Sequence, residues 1–247
     1  MTSPLVICVP GPWRDRKELL TRVVSETKGD YMFLGMILAQ PSKKRHVELS
    51  FCEPSSELEN AFRIAGLGKL SEEVLSHVSG HSSIAFLKFG ASAFPELRQD
   101  VIDFTGVLRQ VGGIAVKVES SGSAHEWDTW FARIQSNNPF DWYRALVVLI
   151  GDSRLFYSCG MHLFGLADVE VSRELEASEA ADLMNRFNYW RMVEEPSLAS
   201  GETFSVSADA PRFVLRQQPD ARHPVGELFH NPQGLWRFEL SEVRRPH

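Results

Sequence analysis

The sequence predicts an α+β fold, a mixed but mainly antiparallel sheet with helices packed on it. Three stretches carry that reading. His46–Glu53 alternates, with Val47, Leu49 and Phe51 facing one way and Glu48 and Ser50 the other, the period of a half-buried strand. Pro95–Val111 carries Leu97, Val101, Phe104, Leu108 and Val111 at spacings of 4, 3, 4 and 3, the stripe of an amphipathic helix. Ala145–Ile150 is apolar at every position and is followed by Gly151-Asp152-Ser153 and a second strand-like run, Leu155–Cys159. The pair reads as a hairpin, with its first strand buried on both faces in the middle of a sheet.

The remaining elements follow from the same rules. Leu5–Val9 is a short strand broken by Pro10-Gly11-Pro12, and Arg14–Lys28 is a helix with Leu19, Leu20, Val23 and Val24 on one face. Tyr31–Ala39 is a second strand and Pro41–Arg45 a turn. Ser55 is the expected N-cap of a helix carrying Leu58, Ala61, Phe62 and Ala65, interrupted by Gly66-Leu67-Gly68. Ser71 caps a short helix to Val78, with Glu72 and Glu73 in its first turn, where the helix dipole favours acids. Ser82–Phe89 is the fourth strand, so the chain opens in a ferredoxin-like βαββαβ order.

Pro95 suits the first turn of the long helix and Gly112-Gly113 its end. Ile114–Val118 is a strand, and Ser123–Ile134 a helix with Trp127, Trp130, Phe131 and Ile134 on one side. Past the hairpin, Ser178 caps a helix bearing Ala180, Leu183, Met184, Phe187 and Trp190. The tail has short strand-like runs at Thr203–Val206, Arg212–Arg216 and Leu235–Leu240 and reads as an irregular β-rich appendage. One domain over 1–247 is expected, divisible into a ferredoxin-like half (1–90), a second αβ half (91–200) and the appendage (201–247).

With 43% hydrophobic and 23% charged residues, the composition is that of a globular protein. No apolar run approaches the roughly 20 residues of a membrane helix, so no membrane association is expected. Cys8, Cys52 and Cys159 are widely spaced in apolar runs, neither a disulfide framework nor a zinc pattern, and point to a reducing cytoplasm. The net charge of −6 is regional. From Asp168 to Asp209 there are ten acids and three arginines, a balance of −7, which leaves about +1 for the rest. This disfavours nucleic acid as a partner and suits a basic one.

Candidate chemistry is sparse. His77 and His81 have metal-ligand spacing, but Ser79-Gly80 between them predicts a helix end, and the glutamate of the metalloprotease motif is absent because Val78 follows His77. Cys159, His162 and Asp168 contain the residue types of a nucleophile, base and orienter. Cys159 nevertheless closes a strand that reads as buried, where a thiol is inert. Gly66-Leu67-Gly68-Lys69 follows a helix and not a strand, and Gly11 is flanked by prolines, so neither is a phosphate loop. Trp127, Trp130, Phe131 and Trp142 read as core residues, with a surface anchor as the alternative. No cofactor and no catalytic residue is expected.

Several segments together resemble a family. They are GHSSIAFLKF, LRQVGGIAVKVESSG and RLFYSCGMHLFGLADVEV, with the later EEPSLASGETFSV, APRFVL and LFHNPQGLWRFEL. The chain from about Leu70 onward is similar to a group of bacterial α+β proteins. Relatives of that kind occur as immunity proteins beside polymorphic toxins and type VI secretion effectors. The resemblance implies a monomeric cytoplasmic protein that binds a cognate toxin and catalyses nothing. The expected contact surface is the acidic one, Glu174, Glu176, Glu179, Asp182, Glu194 and Glu195. The alternatives are a hydrolase using Cys159 and His162, a metal site on His77 and His81, and a small-molecule-binding module with an apolar pocket.

Overall fold

The computed structural model describes residues 3–241. These fall into two compact units, Pro4–Ala145 and the described residues of 146–247 joined by Ser3. The division lies at Ala145/Leu146, whereas the expected single domain was subdivided near 90 and 200. Both units are α+β, and the sheets are mainly antiparallel as expected.

The first unit runs β1 (Val6–Gly11), α1 (Arg16–Glu26), β2 (Met32–Phe33), β3 (Ile37–Gln40), β4 (Arg45–Cys52), α2 (Leu58–Ala65), α3 (Glu72–Ser79), β5 (Ser83–Lys88) and α4 (Phe94–Gln110). It continues with β6 (Val116–Val118), β7 (Ser123–His125), α5 (Trp127–Ile134) and α6 (Pro139–Leu146). Its seven strands form one antiparallel sheet in the order β2-β3-β4-β5-β1-β6-β7. The expected strand–helix–strand–strand–helix–strand order is expanded to three strands after α1 and two helices before β5, and the layout is not a split βαβ. That motif places one strand between the two that its helix joins, whereas β3, β4 and β5 lie between β1 and β2. The reason is that β5 pairs along all of β1, from Val6↔Lys88 to Gly11↔Ser83, and so occupies the edge that β4 would otherwise take.

Both faces of the central strands are buried. Cys8 and Ile84 pack with Phe62, Leu75 and Val78 of α2 and α3, and the alternate residues Ile7, Val9, Ala85 and Leu87 are buried as well. The expected single strand Tyr31–Ala39 is two, because Gly35 (φ 84°) permits a tight turn closed by Leu34 N–H donating to the Ile37 carbonyl at 2.7 Å. Ser55 does not cap α2. Its backbone N–H donates to His81 Nε2 at 3.1 Å, and the helix starts three residues later with Glu57 at the N-cap. Ser71 does cap α3, accepting from Val74 N–H. The helix α4 matches its stripe, and Gly112 (φ 101°) ends it with Gly113 N–H bonded to the Leu108 carbonyl at 2.8 Å, a Schellman closure. The expected helix Ser123–Ile134 begins only at Trp127, since Ser123–His125 pair with β6 as β7.

Three tryptophans of the first unit are core residues with satisfied N–H groups. The Trp13 indole donates to the Val111 carbonyl, Trp127 to the Gly113 carbonyl and Trp130 to Thr105 Oγ1. Trp142 is half-buried and donates to the Ser136 carbonyl.

The second unit contains β8 (Val148–Gly151), β9 (Leu155–Cys159), β10 (Asp168–Ser172), α7 (Ala177–Glu194), β11 (Thr203–Phe204), β12 (Phe213–Gln218) and β13 (Leu235–Leu240). The six strands are ordered β11-β12-β13-β10-β9-β8. The hairpin is present, and Asp152 Oδ1 tightens its turn by accepting from the Arg154 and Leu155 N–H groups. Its first strand is not central. Ala145 and Leu146 end helix α6, and β8 is the edge of the sheet. The tail is not an appendage either, because β13 lies inside the sheet, parallel to β10 and antiparallel to β12.

One polar core residue makes the first unit acid-sensitive. His125 is buried, its Nε2–H donating to the Ala145 carbonyl at 2.8 Å and its Nδ1 facing Arg133 Nη1 at 3.2 Å. Burial, reinforced by Arg133, pushes its pKa down to about 4, although the Ala145 carbonyl favours the charged ring. A histidine depressed in this way contributes stability that is complete above its unfolded pKa of about 6.5 and is lost as pH falls toward 4. The loss is on the order of 3 kcal/mol. An NMR titration should find the His125 midpoint near 4, and His125→Gln should flatten the pH dependence of unfolding between 6.5 and 4. A midpoint near 6.5 would refute this.

Candidate functional site

The second sheet carries α7 on one face and a groove on the other. On the covered face, Val169, Val171, Phe213, Leu215, Trp236 and Phe238 pack against Ala180, Leu183, Met184 and Phe187 of α7. Strand alternation sends Glu170 and Arg237 to the opposite face. There Glu170, only 2% exposed, is bonded by Arg222 Nη2 at 2.9 Å and by Arg237 through Nε and Nη2. The Arg222 guanidinium also lies 3.7 Å from the Tyr157 ring centroid. This network floors an open groove of about 870 Å³ whose rim adds Arg154, Glu174 and Glu239. The sequence signal for it was the pair of charged residues flanked by core positions in DVEVS and LWRFEL. Without the register of the two strands, those charges could not be matched.

The acidic stretch divides on folding. Asp168 and Glu170 are buried, while the other eight acids between Asp168 and Asp209 are exposed, against exposed Arg173 and Arg186 and buried Arg191. The surface balance is therefore −6, close to the −7 of the sequence window. Glu174, Glu176, Glu179, Asp182, Glu194 and Glu195 are all exposed. They do not form one patch. Glu174 and Glu176 precede α7, and Glu179 and Asp182 lie in its first turns. Glu194 and Glu195 end it, about 22 Å further along the axis at 1.5 Å per residue. Glu176 is the N-cap in place of Ser178, with extended backbone and no side-chain cap bond.

The two ends differ energetically. Acids at the start of α7 are stabilised by the helix dipole, and Asp182 also accepts from Arg186 Nε one turn on. Glu194 and Glu195 stand where the dipole repels them, and Glu195 has a left-handed backbone (φ 45°) at the C-cap, a position that favours glycine.

The possible nucleophilic set is placed for structure. Cys159 is buried, and burial, with the Asp168 and Asp220 charges beside it, pushes its thiol far up, the reverse of an activated cysteine. Asp168 Oδ1 accepts from Ser158 Oγ at 2.8 Å and from Met161 N–H at 3.2 Å, and Oδ2 accepts from Asn231 Nδ2 at 2.6 Å. Asn231 also donates to the Leu166 carbonyl, so the buried carboxyl clamps the turn after β9 to the loop before β13. His162 is fully buried. His77 is exposed at the end of α3, whereas His81 is buried, with Nδ1–H on the Val78 carbonyl and Nε2 on Ser55. No group of acids, histidines and cysteines among the described residues could hold a metal ion. Cys52, expected in an apolar run, is exposed at the end of β4. Among the described residues no helix is long and apolar enough to cross a membrane.

Two outcomes follow. A thiol-reactive probe on the folded protein should modify Cys52 within minutes and leave Cys8 and Cys159 until denaturation. Fast labelling of Cys159 would contradict its placement. Burial raises the Asp168 carboxyl to about 6, against the lowering effect of Asn231, Ser158 and the Met161 N–H. An acid raised in this way contributes stability that is complete below its unfolded pKa of about 3.9 and is lost as pH rises through 6. A carboxyl carbon titration should place its midpoint near 6, and a midpoint below 4 would refute the assignment.

Comparison with protein-family models, with curated proteins and with solved structures finds no match for this chain.

Proposed function

We propose that the chain is an immunity-type protein that binds a basic partner protein, a cognate toxin, and occludes it through the acidic surface of its second unit. One observation carries the reading. All six expected contact acids are solvent-exposed, at or beside the two ends of a helix anchored in an aromatic core. Exposed charge on a rigid element steers a basic partner and presents it with a fixed shape. The C-terminal pair supports the same reading, because Glu194 and Glu195 occupy positions that helix energetics disfavour. Local cost of that kind is typical of positions retained for binding. A nuclease toxin would fit best, since its cleft must be basic to hold phosphates. The segments that resemble bacterial immunity proteins support the same reading, on which the chain would act as a monomer in a bacterial cytoplasm.

Co-expression with the toxin encoded by the adjacent gene should rescue growth and yield a complex on gel filtration. Continued killing without a complex would overturn the reading. Lysine at Glu174, Glu176, Glu179 and Asp182 together should slow association at least about tenfold at low salt and leave the thermal midpoint within a few degrees. Glu195→Gly should stabilise the protein by about 1 kcal/mol while weakening toxin binding. Stabilisation with unchanged binding would move the contact to the N-terminal end of α7.

A further inference from the structure

A notch of about 220 Å³ opens beside the first turns of α7. Its walls are Leu175, Leu183, Val206, Pro211 and Phe213, brought together by the start of α7 and the loop between β11 and β12. Leu183 and Phe213 belong to the aromatic core beneath, so the floor is rigid. Two carboxylates, Glu179 and Asp182, complete the lining. They are three residues apart on α7, hence neighbours on one face, roughly 5–6 Å apart at Cβ. Asp182 is held by Arg186, whereas Glu179 has no ion-pair partner among the described residues.

An apolar slot with paired carboxylates fits one kind of side chain. The aliphatic stem of an arginine or lysine can lie on the leucines and Phe213 while its cationic head reaches the acids. A purely apolar side chain would leave the Glu179 carboxylate facing it without compensation, and an anion would be repelled. We propose that this notch receives a single basic side chain, arginine before lysine, from the partner protein. Arginine is favoured because its planar fork can bind the Glu179 carboxylate through two N–H groups at once. The inference rests on the reading of the acidic face as a contact surface and identifies the residue type it grips.

The test uses the full-length protein and two blocked tripeptides, Ac-Gly-Arg-Gly-NH2 and its norleucine counterpart, in an NMR titration. The arginine peptide should shift the signals of Leu175, Leu183 and Val206 and saturate at least about tenfold earlier than the norleucine peptide. Glu179→Gln with Asp182→Asn should abolish that preference, and Val206→Trp, which fills the slot, should abolish binding of both peptides. Equal binding of the two peptides, or shifts confined to residues outside the notch, would overturn the inference. The wider proposal would be untouched by that result, because rescue by co-expression reads it separately. Conversely, arginine-selective binding in a protein that fails to rescue would leave the notch standing and remove the toxin.

Discussion

The parallel pairing of β10 with β13 is the contact on which the second unit depends. Its register sets Val169 beside Trp236 and Val171 beside Phe238, under α7, and Glu170 beside Arg237 on the opposite face. A slip of one residue would exchange the two faces, exposing the aromatics and burying the charges without partners. The ion network around Glu170 therefore does more for register than for net stability, since the desolvation of a buried carboxylate offsets much of its Coulombic gain. Because α7 sits on the face selected by this register, the pairing also decides which side of α7 meets solvent.

That dependence connects packing to function. On the proposed function, the exposed acids at α7 steer a partner from a fixed position, because Ala180, Leu183, Met184 and Phe187 hold the helix in the core. The same core supplies the floor of the notch between α7 and the β11–β12 loop. Shape and charge are thus two faces of one packing solution. Asp168 contributes at the far end of β10, tying the β9 turn to the loop that delivers β13. A carboxyl there, raised by burial, makes the second unit less stable as pH rises, while His125 makes the first less stable as pH falls.

Local pattern was a reliable guide where one face of an element is buried and the other is wet. The alternation of β4, the stripe of α4, the Ser71 cap and the apolar side of α7 are all where periodicity places them. It misled where a contact distant in sequence competes. Ala145 and Leu146 look like strand but end a helix, Ser123–His125 look like helix but pair with β6, and Ser55 gives its backbone to His81 instead of capping. The acids of the candidate site were visible as a composition bias. Their separation into two ends of α7, and the burial of Asp168 and Glu170 among them, were not.

From its residues alone, this chain determined its α+β class, most of its helices, a cysteine spacing with no disulfide or zinc pattern and its regional negative charge. These are local quantities, set by side-chain period, turn chemistry and a count of ions. Strand order, the two-unit division at Ala145, the central place of β13 and the notch beside α7 came only with the tertiary structure. They depend on pairings such as Glu170 with Arg237, 67 residues apart, whose energy no window of neighbouring residues contains.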